Sequence, residues 1–220
     1  MQMFPAFAVP MAAGALPDSD KLNLALKTLL LKRDGDDFKN PYASMEQPPG
    51  LFESDFNFFS WPDAPVQALR QSLWQAVSAY IAELNNYDQA SLSQLHIRSH
   101  TWYHITRRGG FFGMHNHPMA SVSGVYCVDP GTHDLNQPTS GILRFHSPFN
   151  VSNMYVDPGN AKPQAPFTSG NRSFLLKAGE LVLFPSWLMH EVLPFYGDDA
   201  RVTVAFNCWF ERKDAGAKKA

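Results

Sequence analysis

Gly109-Gly-Phe-Phe-Gly-Met-His115-Asn-His117-Pro118, with the alternating apolar run Val122-Ser-Gly-Val-Tyr-Cys-Val128 that follows it, decides how this chain is read. In an extended segment residues i and i+2 point to the same face, with Cα atoms roughly 6.5 Å apart. Two imidazoles at that spacing can converge on one ion at about 2.1 Å from each nitrogen. A histidine pair does not close a site by itself, so a third ligand must come from elsewhere in the chain.

The candidate lies in Lys177-Ala-Gly179-Glu-Leu-Val-Leu-Phe-Pro185-Ser-Trp187-Leu-Met-His190. A glycine turn leads into an apolar strand, a proline stops it, and a histidine follows. Next come Phe195-Tyr-Gly-Asp-Asp199 and Arg201-Val-Thr203-Val-Ala-Phe-Asn207-Cys-Trp-Phe210. With a turn centred near Phe195 and Tyr196, His190 and Arg201 face each other across a hairpin, about 5 Å apart. Arg201, Thr203, Ala205 and Asn207 then share one face, and Val202, Val204, Phe206 and Cys208 the other. A guanidinium turned into a barrel interior is costly to bury unless an anion meets it. That inner face carries no acid, which favours a ligand carboxylate as the partner.

Outward from these stretches, strands are expected at Ile97 to Thr106, Phe111 to His115, Ser121 to Val128, Gly141 to His146, Ser173 to Leu176, Leu181 to Pro185, His190 to Phe195 and Arg201 to Glu211. Short strands punctuated by Gly, Pro and Asp imply an antiparallel sandwich or barrel. Before them, Leu22, Leu26, Leu29 and Leu30 recur at helical spacing between Asp20 and Gly35. A second helix carries the stripe Val66, Leu69, Leu73, Val77, Tyr80, Ile81 and Leu84, opened near Ser60 and Asp63 and ended by Asn85-Asn86. Met1 to Met11 reads as a short first strand, not a signal peptide, because it lacks a basic n-region and is cut by Pro5 and Pro10. Asp36 to Asp55 and Ser147 to Asn171 read as long loops, the latter placed to cover a site mouth.

With 220 residues, 45% apolar and 17% charged, the chain suits a single domain over 1–212: helices at about 17–90, a β core at about 95–212, and a disordered polar tail at 213–220. A net charge of −2 gives no reason to expect nucleic acid or an anionic membrane. No window offers 18 uninterrupted apolar residues. Cys127 and Cys208 fall inside apolar strand-like runs and read as buried thiols in a reducing cytoplasm, not a disulfide.

The joint pattern of HxH with SGVY, G-x-L-x-F, GELVLFPSWLMH and R-x-T-x-A-F-N, from about Trp102 to Phe210, resembles a family of 2-oxoglutarate/Fe(II)-dependent oxygenases. The resemblance implies an α+β chain with a double-stranded β-helix (jelly-roll, cupin-like) core and N-terminal helices packed on it. It also implies a dioxygenase that hydroxylates an unidentified small-molecule or peptide substrate, with Fe(II) and 2-oxoglutarate as cofactors. Carried over, it makes His115 and His190 metal ligands and Arg201 the clamp on the far carboxylate of 2-oxoglutarate; His117, at the position of the family's acid, is expected as the third ligand. Thr203 becomes the hydroxyl helper of Arg201, and Asn207 a further cofactor-binding residue on the same face. A homodimer stays open.

His117 stands where such oxygenases usually have an acid. Three neutral histidines still leave three coordination positions for cosubstrate and O₂, but the site is one unit more positive. A chelating 2-oxoglutarate dianion offsets that charge. Asp129 and Asp134 are the acids that could complete the site instead. The same residues also resemble a cupin: Gly109 with His115-x-His117, and Gly179 with Pro185-x-Trp187-x-x-His190. The competing expectation is therefore a cupin-type metal-binding protein that does not use 2-oxoglutarate.

Of the other histidines, His96, His100 and His104 are read as not stacking on one face, and His133 as a loop residue. His146 ends a strand and could line the site. One of Trp102 and Tyr103 must point inward, since alternation separates them.

Overall fold

From Leu95 onward the chain weaves between two antiparallel sheets. The computed structural model describes residues 1–42, 47–134, 136–149 and 154–213. Its elements are β1 (Ala12–Ala15), α1 (Asp20–Lys32), β2 (Leu51–Glu53), α2 (Ala64–Asn85), α3 (Gln89–Ser93), β3 (Leu95–Thr106), β4 (Phe112–His115), β5 (Val122–Asp129), β6 (Leu143–Phe145), β7 (Arg172–Phe174), β8 (Glu180–Pro185), β9 (His190–Val192) and β10 (Arg201–Arg212). One sheet runs β1-β8-β5-β10-β3-β2 and the other β4-β9-β6-β7. This division of β3 to β10 between two sheets is the double-stranded β-helix, or jelly roll.

The central strands β8, β5 and β10 of the larger sheet are buried on both faces over most of their length, which is why their sequences are largely apolar runs. Tyr103, Ile105, Tyr126, Val128, Leu181, Leu183, Val202, Val204 and Phe206 pack in one cluster with Leu26 and Leu30 of α1 and Val66, Leu69, Leu73 and Val77 of α2. Cys127, Val182 and Phe184 point the other way, against Leu143 and Phe145 of the smaller sheet. Helix α2 starts after Asp63 with proline in its first turn, and Asn86 closes it at φ 52°. Leu84, although in phase with the stripe, is 48% exposed near the helix end.

Several expectations need correction. Met1 to Met11 is not a strand; pairing starts at Ala12, whose partner is Leu183. Pro5 and Pro10 lack the N–H that a ladder needs. The stretch 36–55 is not all loop: it holds a 3₁₀ turn at Asp36–Phe38 and strand β2. Three residues between prolines and turns are too few to show a period. The hairpin between His190 and Arg201 does not form, because β9 pairs with β4 and β6, whereas β10 pairs with β3 and β5. The connection is drawn aside by Phe195, whose N–H donates to the Gly110 carbonyl while its carbonyl accepts from Gly109. Of the expected tail, Lys213 donates its N–H to the Gln94 carbonyl; the rest lies outside the described residues. Cys127 and Cys208 are buried free thiols. No helix among the described residues is long and apolar enough to cross a membrane.

Gly124 shows how tightly the helix-facing layer is packed. It sits opposite Phe206 in the β5–β10 register, and a Cβ there would lie 2.2 Å from Phe206 Cζ. The ring also packs on Trp74 at 5.5 Å and Phe59 at 6.5 Å, so it has no easy retreat. Gly124→Ala is expected to destabilise the fold by about 1–3 kcal/mol. Urea unfolding checks this, and a variant as stable as the parent would show that the ring repacks freely.

Candidate metal centre

The smaller sheet brings two of the three histidines together directly. His115 and His190 are register partners in the β4–β9 ladder, with ring centroids 4.2 Å apart. His117 follows in the loop after β4, where its backbone N–H donates to the Ser186 carbonyl at 2.8 Å. Its ring lies 4.9 Å from that of His115 and 5.0 Å from that of His190. One potential ligand atom from each histidine falls within 4.8 Å of the other two.

Tautomers are set by the backbone. His115 Nδ1 is 2.7 Å from the Gly113 carbonyl and His190 Nδ1 is 2.9 Å from that of Leu188. A carbonyl only accepts, so each Nδ1 carries the hydrogen and each Nε2 keeps its lone pair for a metal. Burial, reinforced by the neighbouring imidazoles, pushes His117 and His190 down to about 3. Burial also lowers His115, against the hydrogen bond to Gly113. All three are therefore neutral near pH 7, the form that ligates.

An acid lability follows for the metal-free protein. The unfolded chain titrates these histidines near 6.5, while the folded chain keeps His117 and His190 neutral until about 3. Between those limits the unfolded state binds more protons, so stability falls as pH falls. The slope approaches about 1.4 kcal/mol per pH unit for each of the two residues. Urea midpoints at pH 7.5, 6 and 5 test this; a midpoint that does not drop over that range contradicts it.

Arg201 enters from the other sheet, at the start of β10, and lines the same cavity as the three histidines. It is 4% exposed. Nη1 donates to Thr203 Oγ1 at 3.5 Å, and Nη2 is buried without a partner among the described residues. Gly141, at φ 66°, lets the chain pass close over the Arg201 stem. Desolvation pulls its pKa down, yet a guanidinium stays charged in proteins. His190 and Arg201 thus line one cavity from different sheets and are not partners in a hairpin. Neutral imidazole donors on one wall and an unanswered guanidinium on another suit a divalent metal with an anionic ligand.

Other expected residues fall in different places. Thr203 lines the cavity, but Asn207 does not: it lies further along β10, where its Oδ1 accepts from Ser123 Oγ at 2.7 Å. Trp102 is the inward member of its pair, and Tyr103 faces the helices, donating its hydroxyl to the Arg33 carbonyl. Asp129 is ion-paired with Lys27 and Asp134 accepts from the Asn136 N–H, so neither joins the histidines. His146 bonds Glu191 and lines a separate cavity of about 260 Å³ with Phe7, Phe149 and Arg172. The described part of the 147–171 loop borders that cavity, which Phe145 and Leu188 share as a wall near His190.

Two residues were missed. His104 lines the histidine cavity, and its Nε2 is 3.0 Å from the carboxylate of buried Glu53. The signal was available in part: residues four apart in a strand share a face, so the 96/100/104 spacing does put these histidines on one side. Nothing marked Glu53.

The family described as "Putative 2OG-Fe(II) oxygenase" matches residues 100–207. No curated protein matches the sequence. Among solved structures, a prolyl-4-hydroxylase of Pseudomonas putida is similar at TM-score 0.58 and 20% identity, over 93% of this chain and 94% of that one. A prolyl hydroxylase of Trichoplax adhaerens, in complex with a hypoxia inducible factor peptide fragment, is similar at 0.58 and 16%, over 96% and 88%. HygX of Streptomyces hygroscopicus, solved with nickel, 2-oxoglutarate and hygromycin B, is similar at 0.52 and 10%, over 94% and 84%. These likenesses confirm the jelly-roll fold. Over residues 100–207 the chain matches the family model of 2-oxoglutarate- and Fe(II)-dependent oxygenases.

Proposed function

We propose that His115, His117 and His190 hold Fe(II), that Arg201 with Thr203 takes the distal carboxylate of 2-oxoglutarate, and that the product is a hydroxylated small molecule or peptide group. The observation that carries this reading is the buried Nη2 of Arg201, without a partner among the described residues, in a cavity walled by three neutral histidines. When bound, iron and 2-oxoglutarate supply the oxidising chemistry: O₂ is consumed, the keto acid is decarboxylated to succinate, and one oxygen atom goes to the substrate.

The protein's part is binding, orientation and exclusion of water. Arg201 offers a fixed charged donor to a carboxylate. The Gly113 and Leu188 carbonyls hold the rings of His115 and His190 in ligating orientation. Phe112, Leu143, Phe184 and Val192 keep the walls apolar. About 30 Å³ is open between these side chains, near the volume of one water, so the lining must give way as the cosubstrate enters. A cupin-type protein holding a metal without 2-oxoglutarate would leave Arg201 unanswered.

The helices and the β core act as one unit, because they share one buried cluster. The free thiols suit a reducing compartment, and the cytoplasm is the proposed location. The test is an anaerobic titration with Fe(II) and 2-oxoglutarate, which should produce the weak visible metal-to-ligand absorption band. Tight Zn(II) binding without that band under any condition would leave the cupin-type reading in its place.

A further inference from the structure

The ligand set has no carboxylate, yet an acid lies close behind it. Glu53, on the edge strand β2, is the register partner of His104 on β3. Its Oε2 is 3.0 Å from His104 Nε2, and its Oε1 accepts from Asn40 Nδ2 at 2.8 Å. The two side chains are only 5% and 14% exposed. The His104 ring lies 5.2 Å from Phe112, which in turn packs at 4.5 Å on His115. Burial alone would push the Glu53 carboxyl up, but the hydrogen bonds with His104 and Asn40 help to hold it below its usual value. It is therefore ionised near pH 7, and its charge acts on His115 in the direction that favours a cation there. Such a buried pair is weak as a source of stability, since apolar replacements are often neutral or stabilising.

We propose that Glu53 supplies, through His104, the negative charge that the three-histidine ligand set lacks, so that the pair is an outer part of the metal centre. The proposal rests on the reading of His115, His117 and His190 as ligands. A divalent ion on two histidines and a carboxylate carries a net charge of one; on three histidines it carries two, and the Glu53 carboxylate brings the total back to one. The charge acts across a water-poor interior, where it is little screened. His104 is a positioning residue here, not a ligand.

The experiment measures Fe(II) and Zn(II) dissociation constants anaerobically for the wild type, Glu53→Gln and Glu53→Asp. Glu53→Gln should weaken both metals about tenfold or more, the range seen when outer partners of metal ligands are removed. Glu53→Asp, which keeps the charge, should recover affinity at least in part. If Glu53→Gln only lowers the melting temperature of the metal-free protein and leaves both constants unchanged, the pair is structural and the proposal is wrong. Should that variant not fold, His104→Phe removes the partner that keeps the carboxylate ionised, and the same loss or constancy of affinity decides. A wild-type protein that binds neither metal overturns the metal-centre reading and this inference together; a binding wild type with unchanged variants overturns this inference alone.

Discussion

Replacing Arg201 with methionine is expected to raise the melting temperature of the cosubstrate-free protein and to abolish its response to 2-oxoglutarate. The guanidinium is buried, and among the described residues its one hydrogen bond is a 3.5 Å contact with Thr203 while Nη2 has no partner. A buried charge so poorly compensated opposes folding, and a well-packed apolar replacement can recover about 1–4 kcal/mol. The same charge is what a carboxylate would bind. Truncating one partner of a buried, hydrogen-bonded charge pair costs roughly 2–5 kcal/mol, so the affinity for 2-oxoglutarate should fall between about 30-fold and several thousandfold. Melting curves with and without 2-oxoglutarate read both effects: the wild type gains stability with the ligand and the variant does not. A variant less stable than the wild type without ligand would mean that another group of the protein already answers Arg201.

His190→Ala should remove metal binding while the jelly roll persists. His190 is 3% exposed and is braced by Phe145 and Phe184, with ring centroids at 5.7 and 4.8 Å. It pairs in the ladder with His115, so its ring is held by both backbone and packing. Without it, His115 and His117 offer two nitrogens, and Zn(II) or Fe(II) affinity should fall by at least about 100-fold, beyond the cost of losing an outer partner. The hole left in the core should cost the metal-free protein on the order of 2 kcal/mol, less than the whole stability of a domain this size. Competition titration with a chromogenic chelator measures the affinity, and urea unfolding confirms that the variant is folded. Retained affinity would place the metal elsewhere.

The two effects separate the halves of the centre. His190 stands on the smaller sheet and Arg201 on the larger, so the two measurements test the proposed metal and anion sites independently.

Much of this was legible without coordinates. The period-2 pattern and the glycine and proline punctuation place most of β3 to β10 within a few residues, and the stripe from Val66 to Ile81 is buried as its spacing requires. His115, His117, His190, Arg201 and Thr203 do line one cavity. These features depend on side chains a few positions apart, and local backbone geometry is set by such neighbours.

What tertiary structure alone decided is which sheet each strand joins. The predicted hairpin between His190 and Arg201 does not form: their strands lie in different sheets, Phe195 is tied back to Gly109 and Gly110, and the two residues share only the lining of one cavity. Asn207 shares the parity of Arg201 and Thr203, but its Oδ1 accepts from Ser123 and it is not part of the cavity lining, because alternation gives the face and not the depth. Glu53 sits in a three-residue strand close after two prolines and meets His104 only through the β2–β3 ladder, across 51 positions of chain. By itself the sequence determined the residue types of the centre and the period of the strands that carry them. The pairing of distant strands, fixed by long-range ladders and by packing between sheets, decided which of those residues meet and set an unforeseen carboxylate behind the histidines.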